Sequence, residues 1–145
     1  QPHQVGFPFN IRRAMGGWKL LFKTDARIAD IDTTDPVLAR GQYLVEGPGH
    51  CAECHTPRNL VGGMNMSKWL AGGPNPDGPG RIPNITPHAL KWSAADIAEY
   101  LNSGFTPDFD TVGGSMVAVQ ENMAKLSATD RMAIALYLKA IAPIE

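Results

Sequence analysis

The chain has 145 residues, 43% of them hydrophobic, and a net charge of −1 from 13 Lys plus Arg against 14 Asp plus Glu. This length sets one domain with room for an extra segment, and it can bury a core without a set of disulfides. The balanced charge argues against a nucleic-acid partner, and no apolar run approaches the roughly 18 residues of a membrane-spanning helix: the run Met132 to Ile144 is shorter and is interrupted by Lys139. Gln1 to Phe9 lacks the basic start and apolar core of a signal peptide, which leaves a cytoplasmic protein, a processed one or part of a longer one.

In chain order, the first region is residues 1–35. Ile11, Met15, Trp18 and Phe22 recur at helical steps, although Gly16 and Gly17 weaken a helix there. Arg12, Arg13, Lys19 and Lys23 make the segment basic, with no acid before Asp25. It reads as an extension over its own domain or an inter-domain linker, and alternatively as a membrane-surface or partner-docking helix through residues 11–23. A stronger helix starts at Asp35, a favoured N-cap followed by Pro36 at the first helical position. Its buried face is predicted to hold Val37, Gly41, Leu44 and Val45, and Gly47-Pro48 ends it.

Between Pro48 and Pro87 glycine and proline crowd the chain, so this stretch is predicted to be irregular. A long loop in a small domain needs something to pack against, and a large apolar cofactor would supply it. A third helix follows Ser93, with Asp96 three residues on as a capping-box partner, Ile97, Tyr100 and Leu101 inward, and Gly104 as the stop. A shorter helix fits between Ser115 and Lys125. The last helix is capped by Ser127 with Asp130 three residues later, carries Ile134, Tyr137, Leu138 and Ile141 on one stripe, and is terminated by Pro143. No alternating strand pattern appears, so the expected fold class is all-α with long irregular loops.

The only cysteines, Cys51 and Cys54, fall in Cys51-Ala52-Glu53-Cys54-His55. A C-x-x-C-H run reads as a c-type haem attachment site. Two thiols at this spacing can add to the two vinyl groups of one haem, and the adjacent histidine comes under the iron as an axial ligand. A thioredoxin-like pair would want strands around it. A zinc site would need a second ligand pair, for which His3, His50 and His88 are the only other histidines. A disulfide over so short a loop would stabilise little. His50 is expected in the loop beside the haem edge, without a ligand role.

Electron-transfer cytochromes commonly take methionine sulfur as the second axial ligand. Six methionines compete: Met15, Met64, Met66, Met116, Met123 and Met132. Met64 and Met66 follow His55 too closely to travel round the ring, and Met132 reads as helix core or surface. Met116 follows Gly113 and Gly114, flexible backbone suited to a close approach. Met123, seven residues on, stays open as a core residue on the same helical face.

The chain resembles class I cytochrome c, and more closely the C-terminal haem domain of bacterial multihaem cytochrome c subunits of membrane-associated dehydrogenases. The matching pieces are Gly41-Gln42-Tyr43-Leu44, the haem motif running on through His55-Thr56-Pro57-Arg58-Asn59, and Pro83-Asn84-Ile85-Thr86-Pro87. Trp92-Ser93 with Asp96-Ile97, Gly113-Gly114-Ser115-Met116 and Ala133 to Lys139 complete them. The resemblance implies that Met116 is the distal iron ligand beside His55, and that the first and last helices of the haem domain cross near Gly41 and Tyr137. It makes 36–145 the haem domain and 1–35 an extension or linker, since Phe7-Pro8-Phe9-Asn10-Ile11-Arg12 and Gly17 to Phe22 are similar to the segment joining successive haem domains. The chain departs from that pattern in having one haem motif and no anchoring helix after Pro143.

Ile82, Asn84, Ile85 and Trp92 are candidates to line the haem, and Arg58 and Arg81 to pair with its propionates, because a guanidinium fork suits a carboxylate. A ring nitrogen of His55 should donate to a backbone carbonyl, with Pro57 and nearby loop residues as candidates. The expected cofactor is therefore one covalent haem c with His/Met ligation, which leaves no open iron position and implies one-electron transfer without a substrate. The alternative is a haem enzyme or gas-binding sensor with an open sixth site; a zinc-bound interaction module is a third reading. The implied partners are redox proteins: a dehydrogenase or another haem domain as donor, and a cytochrome or oxidase as acceptor. The implied location is the periplasm, where such haems are attached, in association with a membrane through a complex.

Overall fold

The computed structural model describes residues 4–7, 10–23, 28–75 and 78–145. His3, Asp25 and the Pro8-Phe9 part of the resemblance lie outside them. Six helices carry the described chain: α1 (Arg12–Phe22), α2 (Pro36–Glu46), α3 (Cys51–His55), α4 (Ala94–Ser103), α5 (Met116–Met123) and α6 (Ala128–Ala140). A two-residue antiparallel ribbon, β1 (Gly73–Pro74) with β2 (Arg81–Ile82), pairs Gly73 with Ile82 and Pro74 with Arg81. The fold is all-α in substance.

The core is the crossing of α2 with α6, to which α4 adds its inner face. Leu44 and Val45 from α2, Ile97 and Leu101 from α4, and Ile134, Tyr137 and Leu138 from α6 are all buried. Each such side chain contributes roughly 1.5–3 kcal/mol through the water it sheds. Gly41 sets the crossing: a Cβ there would lie 2.1 Å from the Ala133 carbonyl oxygen and 2.8 Å from Tyr137 Cβ. What the glycine admits is the backbone of α6 itself, so the approach is tighter than an aromatic ring laid against a helix. Val37, predicted on the buried face, is exposed. It sits in the first turn of α2, one turn before Gly41, and overhangs the crossing.

The caps explain where the helices begin. The Asp35 carboxylate accepts from the Val37 N–H, Ser93 and Asp96 form a reciprocal capping box, and the Ser127 hydroxyl accepts from the Asp130 N–H. Each satisfies an amide that the first helical turn leaves without a partner. Gly104 closes α4 at φ 81°, a conformation glycine adopts without strain. The buried Gln120 of α5 donates to the carbonyls of Leu101 and Asn102, capping the same helix end from another element. The last helix stops at Ala140, before Pro143 is reached.

Residues 28–31 of the first region join the core. Ala29 is buried in it, and Ile28 and Ile31 pack against it. α1 forms despite its two glycines and lays Trp18 and Phe22, ring centroids 5.1 Å apart, over the loop 59–63. The Trp18 indole donates to the Val61 carbonyl at 2.9 Å, and a Cβ on Gly63 would strike the Phe22 ring. Ile11 and Met15, predicted on the same stripe, are exposed.

Candidate haem-attachment site

The chain between α2 and α3 turns sharply. Gly49 donates to the Leu44 carbonyl, a Cβ on Gly49 would lie 2.5 Å from that oxygen, and His50 takes a left-handed φ of 50°. This turn starts α3, a single helical turn that sequence patterning did not show because five residues carry no period. On it Cys51, Cys54 and His55 occupy positions i, i+3 and i+4, which share one face. Both thiols are free. Burial pushes the Cys51 thiol up to about 11, so it is held protonated. His50 is exposed.

The His55 ring is fixed by a contact that the sequence did not single out. Its Nδ1 lies 2.8 Å from the Pro83 carbonyl oxygen, which can only accept, so Nδ1 carries the proton and Nε2 keeps its lone pair. Burial lowers the pKa of His55, against a smaller opposing effect of that hydrogen bond, and favours the neutral ring that an iron ligand requires. Pro57, the other candidate carbonyl, accepts instead from the Asn65 N–H. Any residue can offer a carbonyl, so nothing in the sequence marked Pro83.

The loop carrying Pro83 is held in place. Asn84 Nδ2 donates to the Ile144 carbonyl at 2.7 Å, Asn84 Oδ1 accepts from the Thr86 N–H, and the Thr86 hydroxyl bonds both the N–H and the carbonyl of Ile144. Ile85 donates through its backbone to Leu70, whose own N–H bonds the buried Thr56 hydroxyl. Ile85 and Trp92 are half-buried against the core, with the Trp92 ring 5.3 Å from that of Tyr100. Ile82 is half-buried in β2, and its neighbour Arg81 is exposed.

Arg58 is committed within the protein. One terminal nitrogen donates to Gly62 O at 2.8 Å, and the other pairs with Glu53 of α3, bracing the loop against the motif. A shallow recess beside Cys54 is walled by this arginine, Pro57 and Pro74.

Among the methionines, Met64, Met116 and Met123 are half-buried and packed against the core, Met132 is half-buried on α6, and Met15 and Met66 are exposed. Met116 opens α5 after Gly114 and Ser115, and the φ of 59° at Gly114 explains the glycine. A Cβ on Gly113 or Gly114 would meet nothing within 4 Å, so close packing of protein atoms is not what these residues answer. Among the described residues no three His, Cys, Asp or Glu side chains converge as metal ligands, and no helix is long and apolar enough to cross a membrane.

Two thiols and a pre-oriented neutral imidazole on one helical face are the donor set that a covalent haem requires, and the residues fit the group.

No family model matches the chain. It is 58% identical over all of its 145 residues to a diheme cytochrome c-type protein of Cereibacter sphaeroides, of which it covers 49%. It is 36% identical over 143 residues to the fructose dehydrogenase cytochrome subunit of Gluconobacter japonicus, covering 95% of this chain and 29% of that one. With the alcohol dehydrogenase (quinone) cytochrome c subunit of Gluconobacter oxydans the identity is 33%, over 94% of this chain and 31% of the relative. The chain thus spans about half the length of these relatives, or less. Along its whole length the chain is homologous to c-type cytochromes, the electron-transferring proteins that hold haem c covalently.

Proposed function

We propose that this chain is a one-electron relay carrying a single haem c, bound through Cys51 and Cys54 with His55 and Met116 as axial ligands. The observation that carries the reading is the His55 ring, oriented by Pro83 with Nε2 free, on the same helical face as both thiols. One haem follows from the single C-x-x-C-H run. When bound, haem c supplies an iron that alternates between ferric and ferrous by one electron.

The chain's own residues do the rest. Cys51 and Cys54 tether the ring, and the Pro83 carbonyl holds the imidazole to one tautomer and one plane. Met116 offers a soft thioether from the start of α5, which favours the ferrous state. Ile82, Asn84, Ile85 and Trp92 line the pocket and keep water from it. Arg81 is the free guanidinium for a propionate, while Arg58 serves as the brace between Glu53 and Gly62. With His55 and Met116 both committed to the iron, the chain would have no substrate of its own. Residues 36–145 form the haem domain, and 1–35 an extension that packs back on it. Dehydrogenase cytochrome subunits among the relatives support a dehydrogenase or a neighbouring haem domain as the donor and another cytochrome or an oxidase as the acceptor, with the periplasm as the proposed location.

Acidified organic extraction should leave the colour with the protein, since thioether bonds survive it; haem passing into the organic phase would overturn the assignment of Cys51 and Cys54. Met116→Ala should abolish the weak sulfur-to-iron absorption band and lower the reduction potential, with Met123→Ala changing neither. The reverse pattern would move the ligand to Met123.

A further inference from the structure

Phe109 stands out in a segment that the haem chemistry leaves unused. Its side chain is 90% exposed, and its backbone holds φ at 64°, a region that bulky residues avoid. The conformation is imposed by a closed hairpin. Thr106 N–H donates to Asp110 O, Phe109 N–H to Thr106 O, Val112 N–H to Gly104 O, and Phe105 bridges Thr111. The Thr106 hydroxyl accepts from the Asp110 N–H at 3.0 Å. Phe105, 54% exposed, stands at the base of the same hairpin. Between the hairpin and the outer face of α4 lies an open groove of about 430 Å³.

The charge around this groove has one sign. Asp96 and Glu99 line it from α4, Asp108 and Asp110 flank Phe109, and none of the lining residues is basic. The whole chain carries only −1, so the acidity is local. Two exposed phenylalanines inside an acidic rim are the pattern of a docking surface, with apolar anchors at the centre and charges that steer the encounter. Glycine would fit the Phe109 position without strain, so the ring is present at a cost that the fold does not recover.

We propose that the groove between α4 and the hairpin 104–112 docks a basic redox protein, with Phe105 and Phe109 as the apolar anchors and Glu99, Asp108 and Asp110 as the acidic rim. The occupant is fixed by charge complementarity: a partner whose surface sets lysine and arginine around an apolar patch. That the partner is a redox protein rests on the electron-relay reading. The hairpin runs directly into Gly113-Gly114-Ser115-Met116, which links the docking surface by sequence to the proposed distal ligand.

The test uses the haem-loaded full chain and a strongly basic soluble cytochrome c as the probe. Binding is followed by amide chemical shifts, which do not depend on electron transfer. Electron exchange is followed by stopped flow, with ferricyanide as a small oxidant that needs no docking site. Shift changes should map to α4 and 104–112. The rate with the basic cytochrome should fall as salt is raised. Phe109→Gly should keep or raise Tm while weakening binding and slowing exchange roughly tenfold. The pair Glu99→Gln and Asp108→Asn should flatten the salt dependence.

Shift changes confined elsewhere, or variants that bind and react as the parent does, would overturn the docking assignment even with the relay reading intact. Failure to react with ferricyanide at all would overturn the relay reading and leave the shift map to decide the docking. Sedimentation of the chain alone as a salt-sensitive dimer, lost in Phe109→Gly, would replace the partner by a second copy.

Discussion

At Gly41 one absent carbon sets the distance between two helices. The atoms a Cβ would strike, Ala133 O and Tyr137 Cβ, belong to a rigid helix and cannot step aside. Gly41→Ala is expected to force α2 from α6 at a cost of about 3 kcal/mol, the upper end for overpacking, seen as a large fall in Tm. Tyr137 beside it is fully buried, donates its hydroxyl to Glu46 Oε1 at 2.7 Å and accepts from Trp69 Nε1 at 3.3 Å. Burial, reinforced by the Glu46 contact, raises its pKa, so the phenol stays protonated. Tyr137→Phe keeps the ring and strands the indole N–H. The expected loss is about 1–3 kcal/mol in urea unfolding, without displacement of the helices.

Helix ends are where this sequence speaks most directly. Asp35-Pro36, Ser93 with Asp96, and Ser127 with Asp130 all cap as their residue types require, because capping is settled within four residues. Ser93→Ala is expected to cost about 1 kcal/mol. Asp130 does more than its position in the cap foretells: Arg40 of α2 donates to both its oxygens, at 2.8 and 3.0 Å. The side-chain hydrogen bonds from Arg40 lower its pKa. The folded value lies below the unfolded one, so the stabilisation is complete above the ordinary carboxylate range near pH ~4. It is lost as pH falls through the folded value. Asp130→Asn should therefore lower stability at neutral pH, and the gap from the parent should close as acid is added, measured by unfolding across that range.

The Arg40 pair spans 90 residues and leaves no local trace, which is also why Pro83 and the Trp69–Tyr137–Glu46 chain were invisible in the sequence. The motif Cys51 to His55 was legible because its chemistry demands adjacent residues. Val37 was misplaced because helical periodicity gives a face and does not say how far along that face the neighbour reaches.

Across the whole molecule, Trp18 and Phe22 of the first region lie over the loop 59–63. A chain beginning at Thr33 loses Trp18, Phe22 and the buried Ala29, and should lose roughly 1.5–3 kcal/mol for each large side chain uncovered. It should still take up haem with an unchanged low-spin spectrum, since every proposed ligand lies beyond the cut. Failure to take up haem would make the region a requirement of the haem site. The stitching of Ile144 to Asn84 and Thr86 bears on the order in which the chain folds. These bonds join residues 58 to 60 positions apart, and the conformational entropy of closing so long a loop is spent before the contacts repay it. The turn bearing Cys51 and His55 closes within five residues, so the thiols are presented early. The carbonyl of Pro83 is held through bonds to Ile144, so the imidazole is expected to acquire its fixed plane late in folding.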